Sequence, residues 1–275
     1  MITLLGATGF IGSAILKKMQ SEGIEVYDPA RNEDLTGKYL GNIIYCIGLT
    51  NDAKYKPFET LEAHINKLKN IIEQCTFDAI TYCSSTRVYI HNTTEAKENS
   101  LINVDTADAF EFFNLTKLTA ESLLFNTVEK FKIVRLSNIF GPDFTSDNFL
   151  TSIIRDALTT GKITLRSSAL SQKDYLHVSD AADLITAIAL DDKTQGIYNV
   201  ASGVNVTNGE ILEVISKITG CEVEYTAGAE DIIFNPIDVI RIKDELNFKP
   251  KALLLDEIPK IIEDFKKHLN NGTIA

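Results

Sequence analysis

The chain opens with a short apolar run, Ile2–Leu5, that breaks at once into three glycines with equal spacing, Gly6, Gly9 and Gly12. A helix-compatible stretch follows to about Gly23. A buried strand, a tight glycine turn and a helix N-terminus together form a binding site for the pyrophosphate of a dinucleotide. In such a site the first glycine permits the turn, the second lets the backbone approach the phosphates, and the third lets the helix pack closely. The spacing is not the commoner G-x-G-x-x-G, so the strand and helix on either side carry the prediction.

Composition narrows the class of protein. The 275 residues carry a net charge of −11, with 44% hydrophobic and 24% charged residues. This length and composition are typical of a globular protein with a large core. The acidic balance argues against nucleic acid or an anionic membrane as a partner. It does not exclude an anionic cofactor, which local backbone dipoles can bind.

The four cysteines are scattered, without a C-x-x-C pair, at Cys46, Cys75, Cys83 and Cys221. Most lie in apolar patterns, which favours buried free thiols over disulfides or metal ligands. We predict no metal site. The first strand starts at residue 2, which leaves no room for a signal peptide, and no apolar run has the length of a membrane span. We therefore expect a cytoplasmic protein.

Strand-like and helix-like segments alternate along most of the chain. The predicted strands are Ile2–Leu5, Ile24–Asp28, Asn42–Ile47, Ala79–Ser84, Lys132–Leu136, Lys162–Leu165 and Gly196–Val200. Helical periodicity is found over Phe58–Ile72, Leu115–Val128, Phe149–Leu158 and Asp180–Leu190, and from Thr207 to Gly220. Ser179 is the expected N-cap of the fourth helix, and Thr207 with Glu210 forms a capping box for the fifth. His91 to Asp108 is polar and reads as a loop over the site.

This alternation predicts an α/β protein with a doubly wound parallel sheet of the Rossmann type and a smaller C-terminal α/β substrate lobe. We assign residues 1–143 and 174–202 to the dinucleotide-binding domain. Residues 144–173 and 203–275 are assigned to the substrate lobe.

Several motifs fall where ligands bind to an open parallel sheet, beyond the carboxyl ends of its strands. They are Ser84–Tyr89, Phe113–Glu121, Arg135–Pro142, Lys173–Asp180 and Gly196–Gly203. In this order they resemble the extended short-chain dehydrogenase/reductases, in particular the NAD-dependent epimerase/dehydratase group that includes UDP-glucose 4-epimerase. The resemblance covers nearly the whole chain.

The resemblance implies hydride transfer at a sugar carbon, with a tyrosine as general acid/base. A lysine four residues later lowers the pKa of that tyrosine and holds the nicotinamide ribose, and a strand hydroxyl binds the reacting oxygen. By motif, Ser85 is that hydroxyl and Lys117 is the lysine. The tyrosine position holds Phe113, which has no proton to give or take.

Three explanations of Phe113 stand beside one another. The protein is catalytically weak or silent, another group supplies the proton, or the sequence carries a tyrosine-to-phenylalanine substitution introduced to trap a complex. Tyr89 and Tyr175 are the candidate substitutes, although packing is the commoner role for Tyr89. His64, where the family often has asparagine, is expected to be a half-buried structural residue.

Other positions bear on the substrate. The family's 4,6-dehydratases carry an acidic pair where this chain has Thr86 and Arg87, so the resemblance favours an epimerase or ketoreductase. Arg87 can bind a carboxylate or phosphate. By motif, Asn138 and Asn148 contact substrate, and Lys173 stands where the family usually has a diphosphate-binding arginine. We expect a small-molecule substrate, a nucleotide sugar.

The nicotinamide cofactor is expected to contact the glycine turn and the end of the second strand. The predicted contacts are Gly6, Thr8, Gly9, Phe10, Ile11, Gly12, Arg31 and Lys117. Arg31 favours the 2′-phosphate of NADP, whereas Asp28, two residues before the family's acidic position, keeps NAD open. Family members often form homodimers through two helices of each subunit, here Phe58–Ile72 and Phe113–Val128.

Overall fold

The secondary structure is described by a computed structural model over residues 1–50, 53, 55–92, 96–108 and 111–271; residues 93–95 of the predicted loop lie outside this part. The strands are β1 (Ile2–Leu5), β2 (Val26–Tyr27), β3 (Asn42–Tyr45), β4 (Ala79–Ser85), β5 (Phe131–Leu136), β6 (Asn138–Phe140), β7 (Lys162–Ser167), β8 (Gln172–His177), β9 (Gly196–Val200), β10 (Asn205–Thr207) and β11 (Glu222–Glu230). The α-helices are α1 (Phe10–Ser21), α2 (Pro57–Leu61), α3 (Lys67–Gln74), α4 (Glu111–Thr127), α5 (Phe149–Thr159), α6 (Val178–Leu190), α7 (Asn208–Thr219), α8 (Ile240–Leu246) and α9 (Leu254–Asn270).

The central sheet has six parallel strands in the order β2–β1–β3–β4–β5–β9. One face packs on α1 and α6 through an apolar cluster that includes Ile15 and Ile185. The other face packs on α3 and α4 through a second cluster that includes Leu68 and Leu124. Helices therefore cover both faces, and the predicted doubly wound Rossmann sheet is confirmed.

A smaller lobe is built from α5, α7 and α9 with two short sheets. One sheet has the order β10–β8–β6, and the other pairs β11 with β7 in parallel. Ile154, Ile163, Ile211 and Ile262 are among the buried residues of its own apolar cluster. The predicted smaller C-terminal α/β lobe is therefore present.

The predicted start of α7 is confirmed, whereas the predicted N-cap of α6 is wrong. The capping box of Thr207 and Glu210 is present, and Gly220 ends α7 with a φ of 72°. The expectation for α6 was wrong, because the N-cap is His177, whose imidazole accepts the Ser179 N–H at 3.2 Å. An imidazole nitrogen thus takes the capping role that a serine or threonine hydroxyl commonly has. Ser179 lies inside the first turn of α6.

Two further elements differ from the expected boundaries. β2 has only two residues instead of the expected Ile24–Asp28, since only Val26 and Tyr27 pair with β1. The helix expected over Phe58–Ile72 is α2 and α3 joined by a π-helical segment, Glu62–Asn66. Such π-helical turns are frequent at functional sites.

The tight turn predicted at Gly6 and the close helix packing predicted at Gly12 are both present in the structure. Gly6 has a φ of +93°, and a Cβ there would lie 3.0 Å from the backbone of Cys46. A Cβ on Gly12 would lie 2.1 Å from the Gly6 oxygen, so only glycine lets α1 pack on the turn. A Cβ on Gly9 would meet only the Gly6 oxygen, at 3.4 Å, which is ordinary contact. The fold thus requires Gly6 and Gly12, whereas it leaves space at Gly9.

This difference predicts unequal losses for two substitutions in the same turn. Gly12→Ala should lower the free energy of unfolding by about 1–3 kcal/mol or more, because an overpacked site must shift its backbone. Gly9→Ala should lower it less, by roughly 0.5–1 kcal/mol, because Gly9 is the N-cap of α1 and alanine is a poorer N-cap than glycine. Urea unfolding of both variants measures the effect, and equal losses in the two would contradict the packing argument.

Candidate active site

An open cleft of about 450 Å³ lies over the glycine turn. It is lined by Thr8, Gly9, Phe10, Ser13, Pro142, Asp143, Phe144, Thr145, Ser146 and His268. Within the described residues, α1 has neither a side-chain cap nor an acidic residue in its first turn. Its first N–H groups and the positive end of its dipole therefore face the cleft, and they fit the phosphates of a dinucleotide.

Not every predicted cofactor contact points into this cleft. Thr8, Gly9 and Phe10 line it, whereas Gly6 and Gly12 shape the turn behind it. The Ile11 side chain packs against the apolar cluster between the sheet and α1.

The catalytic candidates Ser85, Phe113 and Lys117 come from two elements that pack together, β4 and α4. The Lys117 Nζ donates a hydrogen bond to the Cys83 carbonyl at 2.9 Å, which ties α4 to the carboxyl end of β4. The same ammonium lies 5.9 Å from the centroid of the Phe113 ring. The Ser85 Oγ accepts the N–H of Arg87 at 3.1 Å, and so caps the short turn after β4.

The electrostatics of Lys117 are set by its burial. The side chain is 6% exposed, and desolvation lowers its pKa to about 8. The nearby Glu121 carboxylate opposes the shift but does not cancel it. At neutral pH this lysine is therefore a buried cation whose proton is held less tightly than usual.

His64 lies in the π-helical segment and is fully buried, not half-buried as expected. Its Nε2 accepts the Leu49 N–H at 3.1 Å, so its Nδ1 carries the proton and faces the Thr116 hydroxyl at 2.8 Å. That hydroxyl donates to the Phe113 carbonyl at 2.8 Å. Burial lowers the pKa of His64 to about 3. Both ring nitrogens are in use, so His64 is a positioning residue that links the segment after β3 to α4.

A buried ion pair joins α4 to the central sheet close to Lys117. The Arg135 guanidinium of β5 donates to both carboxylate oxygens of Glu121, at 3.1 and 2.6 Å. Its third nitrogen donates to the Tyr89 hydroxyl at 2.7 Å, which donates in turn to the Asn199 side chain at 2.8 Å. The Ser84 hydroxyl donates to Glu121 at 2.5 Å. The sequence motifs contained both members of the pair, but their spacing did not reveal that they meet.

The two tyrosines considered as substitute acids are both buried. The Tyr89 hydroxyl is hydrogen-bonded to Arg135 of the buried ion pair, and burial raises its pKa to about 12. Tyr175 lies in the apolar cluster of the smaller lobe, where burial raises its pKa further. Neither hydroxyl is placed to exchange a proton readily with a ligand.

The two cations expected to face substrate, Arg87 and Lys173, lie close enough to interact electrostatically. The Lys173 Nζ sits 5.4 Å from the centroid of the Phe149 ring. Burial lowers the pKa of Lys173, and the Arg87 charge lowers it further. Burial also lowers the pKa of Arg87, while Asp108 and Glu111 oppose that shift.

The three uncharged candidates make contacts within the protein. Thr86 is buried and its hydroxyl donates to the last carbonyl of β5 at 3.3 Å. The Asn138 amide donates to the Asp174 carbonyl at 2.8 Å. Asn148 caps α5 by accepting the Thr151 N–H at 2.9 Å.

The two residues considered for selectivity between NAD and NADP, Asp28 and Arg31, lie on the surface after the second strand. Asp28 and Arg31 are exposed and form no hydrogen bond or ion pair with any described residue. Glu33, which the sequence analysis did not single out, instead bonds Tyr27 and Lys38, and these contacts lower its pKa to about 2.

All four cysteines are free; Cys83 and Cys221 are buried, whereas Cys46 and Cys75 are partly exposed. Cys46 and Cys83 stand side by side after β3 and in β4, with their sulfur atoms 3.4 Å apart. Strand register brings them together, which no local spacing could reveal.

With this geometry in place, the comparison with known families is unambiguous. The chain belongs to the NAD dependent epimerase/dehydratase family, whose model matches residues 2–201. The matched part includes the glycine turn, Ser85, Phe113, Lys117 and β9. The family resemblance inferred from the sequence motifs is therefore confirmed, and the chain is a member of a family of NAD-dependent enzymes.

Particular relatives are distant but span almost the whole chain. UDP-glucuronic acid decarboxylase 1 of Arabidopsis thaliana is 21% identical over 314 aligned positions, which cover 98% of this chain and 71% of that protein. The structure of MoeE5 with UDP-glucose and NAD superposes with a TM-score of 0.82 at 19% identity, covering 98% and 99% of the two chains. A tyrosine-to-phenylalanine mutant of UDP-glucuronic acid 4-epimerase from Bacillus cereus superposes with a TM-score of 0.77 at 17% identity, covering 98% and 99%. At these identities the structures show the shared fold.

Among the described residues, no helix combines the length and apolar character that crossing a bilayer requires.

The buried Lys117 charge predicts a pH-dependent gain in stability when it is removed. Because its pKa falls from 10.5 to about 8 on folding, the buried charge opposes folding fully below pH 8. Between pH 8 and 10.5 the folded protein loses the Lys117 proton before the unfolded chain does. The free-energy cost of burying the charge therefore decreases over this range. Lys117→Met should raise the free energy of unfolding by about 3 kcal/mol at pH 7, and most of the gain should be lost near pH 10.5.

Denaturant unfolding at pH 7, 9 and 10.5 measures this profile. Lys69→Met, on the exposed face of α3, is the matched control and should give no gain. A gain for Lys117→Met that is equal at all three pH values would contradict the electrostatic cause.

Proposed function

We propose that the chain is an NAD(P)-dependent epimerase or ketoreductase that acts on a nucleotide sugar. The observation that carries the proposal is the Lys117 ammonium, held at the carboxyl end of β4 by the Cys83 carbonyl. A lysine buried at that place needs a reason, because a neutral side chain would be more stable there. Binding the ribose of a nicotinamide cofactor is such a reason.

The remaining residues take roles that their chemistry allows. The backbone of the glycine turn binds the pyrophosphate, and Gly9 keeps the approach open because it has no side chain. Ser85 donates its hydroxyl proton to the reacting sugar oxygen, since its Oγ otherwise only accepts a backbone N–H. Arg87 and Lys173 bind the anionic groups of the substrate, and Thr86, Asn138 and Asn148 shape the pocket around them.

When bound, a nicotinamide cofactor accepts or returns a hydride. The chain's own part is to orient the sugar carbon and to move a proton at its oxygen. Phe113 occupies the position from which the family's tyrosine does the second task. Loss of a positioned acid/base typically costs about 10²–10⁴ in rate. With Phe113 at this position, the protein is expected to turn over its substrate slowly.

A second candidate is a catalytically silent dinucleotide-binding protein of the same fold. Phe113 itself favours it, because the ring is 6% exposed and packs edge-on against His64 at 5.6 Å. This is a well-fitted apolar side chain at the place of a proton donor. A substitution introduced into an active enzyme would give the same arrangement.

Phe113→Tyr distinguishes these candidates. If the enzyme proposal is right, the added hydroxyl should raise kcat by about 10²–10⁴ with either coenzyme, because the two rings share one shape. The measurement is turnover of UDP-glucose, UDP-galactose and UDP-glucuronic acid, followed by chromatography. Phe112→Tyr, at the half-buried neighbouring position, is the matched control and should give no increase.

Calorimetric titration of coenzyme into the same variants completes the test. Tight coenzyme binding without turnover in Phe113→Tyr would contradict the enzyme and support the silent protein. Absence of coenzyme binding in every variant would contradict both.

We infer that NADP is preferred over NAD. Exposed Arg31, without a partner among the described residues, supports recognition of a 2′-phosphate, whereas Asp28 would accept hydrogen bonds from a free ribose. Arg31→Ala should weaken NADP⁺ binding about 10–100-fold and leave NAD⁺ binding unchanged, since a charge-assisted hydrogen bond contributes roughly 1.5–3 kcal/mol. Asp28→Asn should show the reverse pattern if NAD is the cofactor, and calorimetry with both coenzymes distinguishes the two.

We further propose a homodimer formed through the helices over Phe58–Ile72 and Phe113–Val128, on whose surface α2 and α4 present apolar side chains. Phe58 on α2 is 81% exposed, and Leu115, Leu118 and Leu123 line an open groove along α4. Burying such side chains against a second copy is favourable. Sedimentation of the protein should show twice the chain mass, and a monomer at all concentrations would contradict this proposal.

The division into residues 1–143 with 174–202 and 144–173 with 203–275 is also proposed. Most of the smaller lobe's apolar cluster lies in the second unit, but Phe140 and Tyr175 of the first unit belong to it as well. Residues of the second unit, including Ile237 and Ile242, pack in turn with the cluster beneath α1 and α6. Coenzyme should slow hydrogen exchange mainly in the first unit, and equal protection of both would contradict the division. A cytoplasmic location is proposed from the four free cysteines, and fractionation of the source cells tests it.

A further inference from the structure

A cluster of three ligand-type side chains lies beside the start of α4, outside the catalytic group. His91, Asp108 and Glu111 each offer one nitrogen or oxygen atom, and these atoms all lie within 4.8 Å of one another. The His91 Nε2 is 3.1 Å from the Glu111 Oε2. Two ligands of one tetrahedral zinc ion lie about 3.3 Å apart, given bonds of roughly 2.0–2.1 Å. In the structure this contact is a hydrogen bond between the two side chains, and its length is also close to the separation of two ligands on one metal.

Two acceptor atoms at the cluster lack partners. Glu111 is 1% exposed, and its second oxygen, Oε1, has no hydrogen-bond partner among the described residues. The same holds for the Asn114 Oδ1, which is fully buried one turn along the helix. The Asn114 amide nitrogen donates to the Glu111 Oε2 at 2.8 Å, so the two side chains are held together. Buried acceptors without donors are rare in folded proteins, and each calls for an explanation.

The charges of the cluster also favour a cation. Asp108 and Glu111 bring two carboxylates, and Arg87 interacts electrostatically with both. The Arg87 charge offsets only one of the two carboxylates, so Asp108, Glu111 and Arg87 together leave one net negative charge beside the buried Glu111. A divalent ion bound to the carboxylates would neutralise it and give the open acceptor oxygens a partner.

We propose that His91, Asp108 and Glu111, with the Asn114 Oδ1 beside them, bind a divalent transition-metal ion. The mixed set of one imidazole and carboxylate oxygens suits Zn²⁺. Mg²⁺ is a poorer match, because it prefers oxygen ligands and keeps its water. The ion would join the segment around His91 to the first turn of α4, the helix that carries Phe113 and Lys117. This proposal does not depend on the reaction proposed above.

The test is a titration of Zn²⁺ into the full-length protein after chelator treatment and dialysis. Calorimetry should show one saturable site per chain, and Mg²⁺ should bind at least 10-fold more weakly. His91→Asn and Glu111→Gln should each weaken Zn²⁺ binding by at least 10-fold. The His91 side chain is 30% exposed, so its substitution should leave the fold intact, as circular dichroism will verify.

The matched control carries His177→Asn and His268→Asn, which remove the two other imidazoles that are not fully buried. The control should bind Zn²⁺ as the unchanged protein does. Zn²⁺ should also raise the melting temperature of the unchanged protein and of the control, but not that of His91→Asn. Absence of a saturable site, or equal affinity in His91→Asn and the unchanged protein, would overturn the proposal.

Discussion

The buried ion pair between Arg135 and Glu121 is the interaction on which the geometry of the site depends. It joins the central sheet to α4 next to Lys117, and the Ser84 and Tyr89 hydroxyls complete it from the end of β4. A buried pair of this kind adds little net stability, but an unmatched partner costs about 3–5 kcal/mol. The pair therefore acts less as a source of stability than as a constraint on position: α4 cannot slide along the sheet without separating two buried charges.

Features that depend on a few neighbouring residues could be predicted from the sequence. Steric exclusion around Gly6 and Gly12 operates within one turn, so glycine spacing alone indicates the strand–turn–helix. The capping box of Thr207 and Glu210 is equally local. The parallel sheet followed from regular alternation, because parallel strands need crossover connections, usually helices. Family motifs then placed Ser85 and Lys117, which no periodicity could have distinguished from other polar residues.

Features that depend on the register between distant elements could not be predicted. Only partial burial was predicted for His64, which lies fully buried in a π-helical segment that its local sequence does not indicate. The approach of Cys46 to Cys83 follows from the alignment of β3 with β4, and the grouping of His91 with Glu111 from the path of the chain between them. Each is a meeting of residues far apart in sequence. The prediction that the chain has no metal site was made from the spacing of the cysteines, which says nothing about His91, Asp108 and Glu111. It stays a prediction.

The placement of β9 has a consequence for how the chain is made. β5 pairs on one side with β4, which precedes it, and on the other with β9, which follows only after β6, β7 and β8 have been synthesised. While the polypeptide leaves the ribosome, the outer margin of β5 thus exposes unpaired amides and carbonyls for the time needed to translate about sixty more codons. Open strand margins invite association with other nascent chains. For this topology, the hazardous interval in biosynthesis is defined by strand order and ends when Gly196–Val200 docks.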